Sequence, residues 1–304
     1  MTNKNSNKYI FSLVFFTMFI LNSTAQVGEQ GFLNASGSFN KKRFNSTIIG
    51  EAAIGVLATA GLQILWYKGF AHARFHYFND NKEWLNMDKA GHATTAYNIS
   101  AMQYNLMRWS GVKTGSAIWI GGGTGLLYMT LIEILDGFSQ KWGFSKGDML
   151  ANISGSALFM VQQSAWKQQK IQLRFSYHNS VFAKYNPEEL GKKLSQKMLK
   201  DYNGQTYWLS VNLSSFVHGN LPRWLNADVG YGAEGMITAV ANPRWNSDSV
   251  NGFIRERKLL FSLDGSFTKN NNAYPGWINI FHIPAAALEW KLQSKRTKGY
   301  ALYY

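Results

Sequence analysis

Ser116–Leu135, SAIWIGGGTGLLYMTLIEIL, is a run of apolar and small residues with one acid, Glu133. A run of that length forms a helix of about 30 Å, long enough for a bilayer core or the middle of a bundle. Three similar stretches surround it. Thr47–Tyr67 is almost continuously apolar, broken by Glu51 and Gln63. Met87–Trp109 keeps a helical pattern but is much more polar. Gly147–Trp166 is small and apolar in its middle. Short polar connections between them predict a four-helix bundle over residues 47–166. Gly121, Gly122 and Gly125 read as sites of close helix approach. A phosphate-cradling loop would need a strand before them and a Lys-Ser/Thr after, and neither is present.

Beyond Trp166 the pattern changes. Ile171–His178 alternates apolar and polar residues, as do Thr206–Phe216, Ala227–Gly232, Lys258–Phe267, Ala287–Leu292 and Tyr300–Tyr304. These predict a small antiparallel sheet over residues 167–304. Asn186-Pro187-Glu188-Glu189 is a helix start, with a capping residue, Pro at the first helical position and acids in the first turn. It opens an amphipathic helix over residues 187–200 that Asn203-Gly204 ends. The expected fold class is α+β, an N-terminal four-helix bundle followed by a small antiparallel sheet with one amphipathic helix. No repeat of 20–50 residues is visible.

Composition narrows the setting. Of 304 residues, 46% are hydrophobic, 15% aromatic and 16% charged, and none is cysteine. Disulfides, thiolate metal sites, a cysteine nucleophile and acylated cysteine are thereby excluded for these residues. Residues 1–26 have the form of a secretory signal: Lys4 and Lys8, an apolar run from Ile10 to Leu21, then Ser23-Thr24-Ala25 before Gln26. Residues 27–46 read as an irregular polar lead-in. The net charge is +14, and +12 without Lys4 and Lys8. An exported basic chain is expected to meet anionic lipid headgroups, not nucleic acid. Protein partners cannot be named from the sequence.

The chemistry-bearing residues sit inside the apolar helices. Asp88-Lys89-Ala90-Gly91-His92 opens the second helix, with Asp88 and His92 four apart on one face. Glu133 and Asp136 share a face at the end of the third. Ser145-Lys146-Gly147-Asp148 opens the fourth, which continues to Asn152. In an antiparallel bundle these three helix ends lie together, so the pairs converge. Buried charge is costly unless paired or facing a cavity. The cluster is therefore either a structural lock or a site. As a lock, Asp88 and Asp148 would cap their helices, and Lys89 would pair with Glu133 or Asp136. As a catalytic site, His92 would be a general base oriented by Asp88, Glu133, Asp136 or Asp148, with Lys89, Ser145 and Asn152 as binding groups. Alternatively His92, Glu133, Asp136 and Asp148 would hold zinc or manganese. The sequence assigns no cofactor. Neither HExxH nor a G-x-S-x-G elbow is present.

Asp88-Lys89-x-Gly-His92, then Glu133-x-x-Asp136-Gly137-Phe138-Ser139, then Ser145-x-x-Asp148-x-x-x-Asn152-x-x-Gly155 resembles the YfiM-like predicted periplasmic lipoproteins, domain of unknown function 2279. The closest part of the resemblance runs from Asp88 to Gly155. The same motif order is similar to the VanZ-like membrane proteins, although Asp136 stands where their pattern commonly has glutamine. The resemblance implies an envelope protein with a motif-bearing helical core and no established reaction. Without a cysteine to acylate, membrane attachment would fall to the helices or to an aromatic and basic surface.

In the second half, Gly230, Gly232 and Gly235 read as a bend or bulge. Trp208, Trp224, Trp245, Trp277 and Trp290 suggest an interfacial belt, while Asp228 and Glu234 have no evident partners. The expected function is a membrane-associated, exported envelope protein with a structural or binding role, in the periplasm or outer membrane. The alternative is an envelope enzyme acting on a lipid or cell-wall precursor at the His92 cluster. About six strands fall short of the eight in the smallest outer-membrane barrels, which disfavours a porin-like channel.

Overall fold

The computed structural model describes residues 36–62, 71–217, 219–242, 252–266, 268–269, 272–273 and 279–303. The signal-like residues 1–26, Trp245 and Trp277 lie outside them. In chain order the helices are α1 (Lys41–Leu62), α2 (Met87–Trp109), α3 (Thr114–Gly137), α4 (Lys146–Trp166), α5 (Pro187–Leu190) and α6 (Leu194–Lys200). The short strands β1 (Tyr77–Phe78) and β2 (Phe144–Ser145) pair in parallel. The main sheet contains β3 (Ile171–Tyr177), β4 (Gln205–Asn212), β5 (Leu225–Glu234) and β6 (Glu256–Gly265). A small hairpin follows, β7 (Thr268–Lys269) and β8 (Asn272–Ala273), and then β9 (Ala285–Lys291) and β10 (Thr297–Tyr303) return to the main sheet.

Mixed helix and antiparallel sheet make the fold α+β, but among the described residues the bundle has three helices, not four. α2, α3 and α4 interlock through their small residues. A Cβ on Gly125 would lie 2.6 Å from the Ala96 carbonyl oxygen, and one on Gly155 only 2.1 Å from that of Ala93. A Cβ on Gly122 would strike the Met160 side chain. These glycines are packing seams, as their context implied. α1 joins only through its first turns. Arg43 stacks over the Trp109 ring, Thr47 is buried, and Glu51 bonds to Gln103, all on one face at four-residue spacing. Beyond that, Val56 and Leu57 are exposed, and Gly50, Gly55 and Gly61 have no neighbour within 4 Å. Apolar composition alone suggested a fourth bundle member, whereas bundle membership requires a close partner.

All six main strands appear where alternation placed them, in the order β10-β9-β6-β5-β4-β3 with antiparallel neighbours. The sheet curls until the segment before β9 reaches the free edge of β3. The Phe175 amide donates to the Ile280 carbonyl at 2.9 Å, and the His282 amide donates to the Phe175 carbonyl at 3.0 Å. Inside the curl, Thr206 of β4 and Tyr303 of β10 meet hydroxyl to hydroxyl at 2.8 Å.

The two faces of this sheet are inverted relative to a water-soluble sheet. Arg174, Thr206, Asp228, Lys258, Asp264 and Glu289 all point inward and are buried. Leu209, Val229, Phe261, Leu263, Leu288, Trp290 and Leu302 point outward and are 41–61% exposed. Trp208 is fully buried inside the curl, so it belongs to no surface belt, while Trp224 and Trp290 do lie at the surface. Gly230 makes room for the Trp208 ring, which a Cβ there would approach to 2.8 Å. Gly235, at φ +77°, takes the turn after β5. Glu234 is no solvated acid, because it pairs with Lys291 and Lys258.

The expected helix over residues 187–200 is two short helices. Gly191 separates them at φ +94°, a conformation that glycine tolerates and that ends a helix. Asn186 and Pro187 start the first as read.

α2 lies across the outer face of β3–β5. Leu173 packs with Tyr97, Ala101 and Phe159, the Asn98 amide donates to the Leu173 carbonyl at 3.0 Å, and Met87 packs with Ala233 and Met236. Gln162 of α4 bonds both backbone groups of Ile171. The bundle is thereby fixed to one side of the curled sheet. The outer faces of β6, β9 and β10, with Leu209 of β4 and Val229 of β5, carry the exposed apolar residues.

Candidate functional site

The converging helix ends are closed by the strand pair β1–β2. Its register sets Phe78 beside Ser145 and so brings Asp80 to the start of α4. Ser145 is the hub. Its hydroxyl donates to Asp80 Oδ1 at 2.7 Å and accepts from the Asp148 amide at 3.1 Å, and its own amide donates to Glu133 Oε2 at 3.0 Å. One serine therefore caps α4 and ties it to α3 and to the loop before α2. Asp148 is in the first turn of α4 and is not its cap. Asp88 does not cap α2 either, since Asn86 stands at that position without a side-chain cap.

Lys89 fills the centre of the carboxylates. Its ammonium lies 2.6 Å from Asp80, 3.0 Å from Asp88 and 3.0 Å from Asp148. The expected partners were Glu133 or Asp136, but the register of α2 aims Lys89 at α4 and at the Asp80 loop. Three consecutive residues before α2, Trp84, Leu85 and Asn86, take left-handed φ of 45°, 53° and 66°. Such residues cost roughly 1–3 kcal/mol each and persist where the surroundings hold them. Here the Trp84 amide donates to the Ala239 carbonyl at 2.7 Å, and the Tyr231 hydroxyl donates to the Leu85 carbonyl. The sheet thus sets the angle at which α2 presents Lys89.

His92 sits one turn deeper. Its Nδ1 lies 3.1 Å from Asn152 Oδ1 and 3.5 Å from Glu133 Oε1. Asn152 Oδ1 is an acceptor, so the imidazole proton belongs on Nδ1. Burial lowers the His92 pKa to about 4, keeping the ring neutral. Burial also raises Glu133 to about 8, with Asp136 adding its charge, so Glu133 holds a proton at neutral pH. Asp148 is raised by burial and by its hydrogen bond with Asp80. Burial opposes the charge on Asp80 too, but bonds from Asp148, Lys89 and Ser145 hold it low. Asp80 and Asp148 therefore share one proton, and the Asp80 charge is balanced by Lys89.

Residues 76–164 match the family model DUF2279, described as a predicted periplasmic lipoprotein. The matched segment is less than a third of the 304 residues. It includes every member of the cluster and ends before β3. No curated protein and no solved structure matches the chain. The family description agrees with an exported protein associated with the membranes of a Gram-negative-type envelope. The description also names a lipoprotein, whereas these 304 residues contain no cysteine to acylate.

Asp88, Lys89, His92, Glu133, Ser145, Asp148 and Asn152 are thus brought together. Asp136 is half-buried at the end of α3 and bears on Glu133 through its charge. Asp80 belongs to the DUF2279 cluster and was not among the expected residues. Its only sequence signal is the polar turn Asn79-Asp80-Asn81 ahead of a capped helix. One oxygen each of Asp88 and Glu133 and the Asn152 amide nitrogen have no hydrogen-bond partner. Next to the cluster, Phe75, Tyr77, Phe138 and Phe144 form a chain of ring contacts, with Lys146 over Tyr77.

Proposed function

We propose that this is a membrane-associated envelope protein with a structural or binding role. Its apolar exterior rests on lipid, and its polar cluster locks the helix ends together. The observation that carries the reading is the inverted sheet, with buried charged residues inside the curl and exposed Leu263, Leu288 and Leu302 outside. Soluble proteins rarely expose contiguous apolar patches beyond a few hundred Å². The bundle extends the surface with Trp119, Leu127, Leu150 and Val161, all more than 60% exposed. Among the described helices, α3 is long and apolar enough to cross a membrane by length and composition. Tyr77 and Phe138, beside Lys146, fit the headgroup level, where aromatic and basic side chains collect.

The lock reading rests on Lys89, a built-in cation that joins acids from the β1–α2 loop, α2 and α4. Fractionation tests the proposal. The protein should stay with membranes after high-salt and carbonate washes, and purified protein should float with vesicles of phosphatidylethanolamine and phosphatidylglycerol. Complete release by carbonate, with a monomeric protein in detergent-free buffer, would overturn it.

One observation favours a second reading, an enzyme acting on a lipid or cell-wall precursor. The His92 side chain keeps 18% exposure, and among the described residues nothing bonds its Nε2. Asn152 would be its positioning residue and Nε2 the proton acceptor. A pKa near 4 makes that a weak base, so the structural reading comes first.

A further inference from the structure

A second polar cluster lies inside the curled sheet, independent of the DUF2279 segment and of the membrane reading. Asp228 on β5, Asp264 on β6 and His282 ahead of β9 have fully buried side chains. Arg174 of β3 answers only one of the acids. Its Nη1 donates to Asp264 Oδ2 at 2.6 Å. Asp264 also accepts from the Asn226 amide at 2.9 Å and from the Ile283 backbone at 3.1 Å. Asp228 accepts from the Asp264 backbone amide at 3.1 Å through Oδ2, and its Oδ1 has no partner.

His282 is the unusual member. Neither ring nitrogen has a hydrogen-bond partner. The ring stacks on Trp208 at 3.9 Å and 12°, which fixes its plane. Nε2 lies 3.9 Å from Asp228 Oδ2 and 3.9 Å from Asp264 Oδ2, too far for hydrogen bonds. An unsatisfied buried polar group costs about 1–3 kcal/mol, and here both nitrogens of one ring and a facing carboxylate oxygen are left so. Charge points the same way. Arg174 pairs with Asp264, and among the described residues no Lys or Arg pairs with Asp228.

We propose that Asp228, Asp264 and His282 form a binding site for one divalent transition-metal ion. Their donor atoms all lie within 4.8 Å of one another. Tetrahedral ligands at about 2.0–2.2 Å from a shared ion stand about 3.3–3.6 Å apart, so the two 3.9 Å separations must shorten by about half an ångström and the widest by no more than about 1.5 Å. One imidazole nitrogen with carboxylate oxygens suits zinc or manganese, whereas magnesium and calcium prefer oxygen alone. The contrast with the helical cluster is direct. There, three carboxylates already surround Lys89; here, among the described residues, no Lys or Arg pairs with Asp228.

Metal retention by the full chain in detergent tests the site. Protein is loaded with Zn2+ or Co2+, freed of excess metal, and assayed by mass spectrometry and by Co2+ visible absorption. Wild type and His92→Gln should each retain one equivalent, with excess Mg2+ failing to displace it. Asp228→Asn, which preserves shape, and His282→Gln should bind at least tenfold more weakly. Zn2+ should raise the thermal midpoint of wild type but not of Asp228→Asn. No retained metal in folded wild type, or equal retention by both variants, would overturn the proposal and leave a buried water as the bridging group. If both variants fail to fold, Cu2+ bound to the His92→Gln protein decides. Nitrogen hyperfine structure in its paramagnetic resonance spectrum supports the site, and an oxygen-only spectrum refutes it.

Discussion

In the helical bundle the buried acids meet a cation belonging to the chain, with Lys89 no more than 3.0 Å from Asp80, Asp88 and Asp148. In the curled sheet Arg174 pairs with Asp264, while Asp228 and His282 face each other at 3.9 Å. Both regions turn apolar side chains outward and keep charge inside, so apolar exteriors do not distinguish them. The difference lies in closure. The bundle cluster joins four chain segments and holds three of its acids on Lys89, which is what a lock requires, although Asp88, Glu133 and Asn152 each keep one unpartnered atom. The sheet cluster is held as firmly by its surroundings, yet it leaves one Asp228 oxygen and both His282 nitrogens without partners.

The comparison breaks most sharply at its two cations. Removing one member of a buried ion pair costs about 3–5 kcal/mol, because the other charge is stranded. Arg174→Met should have the larger effect, since both side chains of the Arg174–Asp264 pair are fully buried. Lys89→Met should cost somewhat less, because its three acids are 7–12% exposed and Asp80 and Asp148 can share protons. Denaturant titration in detergent measures both. Adding Asp80→Asn to Lys89→Met should restore part of the loss. A Lys89→Met protein as stable as wild type would show that the cluster locks nothing.

Helix packing supplies the next effect. Gly155→Val should cost about 1–3 kcal/mol or more, because even a Cβ there lies 2.1 Å from the Ala93 carbonyl oxygen. Gly123→Ala, two residues from an equally small neighbour, should be nearly neutral or slightly stabilising, because nothing lies within 4 Å. Equal effects would mean that α2, α3 and α4 do not meet along these seams.

Much of the bundle site was legible because helices convert spacing into contact. The pairs Asp88/His92, Glu133/Asp136 and Asp148/Asn152 each share a face, and antiparallel connection brings the three ends together. Asp80 was invisible because its place depends on β1 pairing with β2, a contact between residues 67 positions apart. In the sheet, alternation located all six strands but not which face turns inward, since a period of two is the same for either orientation. Leu259, Phe261 and Leu263 alternate as core residues would, yet Phe261 and Leu263 are exposed. Arg174, Asp228, Asp264 and His282 come from four separate strands and segments, so no local spacing announced them.

Titration separates groups within the bundle cluster. Glu133 has a folded pKa of about 8 against 4.5, so the folded state retains a proton that the unfolded chain releases. Its contribution to stability is complete below pH 4.5 and is lost as pH rises through 8. His92 has the opposite sign, about 4 against 6.5. Its contribution is present above pH 6.5 and is lost as pH falls through 4. In thermal melts across pH 4–9, Glu133→Gln should flatten the alkaline decline. An unchanged alkaline limb would mean that Glu133 ionises normally in the fold.

The smallest stability change is expected for His92→Gln, and it decides between the two functional readings. Glutamine offers an amide in place of the Nδ1 proton and reaches Asn152 Oδ1 without charge, so the bundle should stay folded. The acid limb of the stability profile should flatten, because a neutral side chain replaces one whose protonation the fold resists. If the cluster is a lock, cells carrying His92→Gln should match wild type in detergent and antibiotic sensitivity, while Lys89→Met fails in proportion to its loss of folded protein. If His92 is the proton acceptor of an enzyme, His92→Gln should accumulate normally and still fail to complement, because an amide cannot accept a proton near neutral pH. Adding Asn152→Ala sharpens the result. A positioning role for Asn152 predicts failure by either single variant and no further loss in the double variant. Full complementation by a stable His92→Gln protein would eliminate the catalytic reading and leave Lys89 as the residue on which the cluster depends.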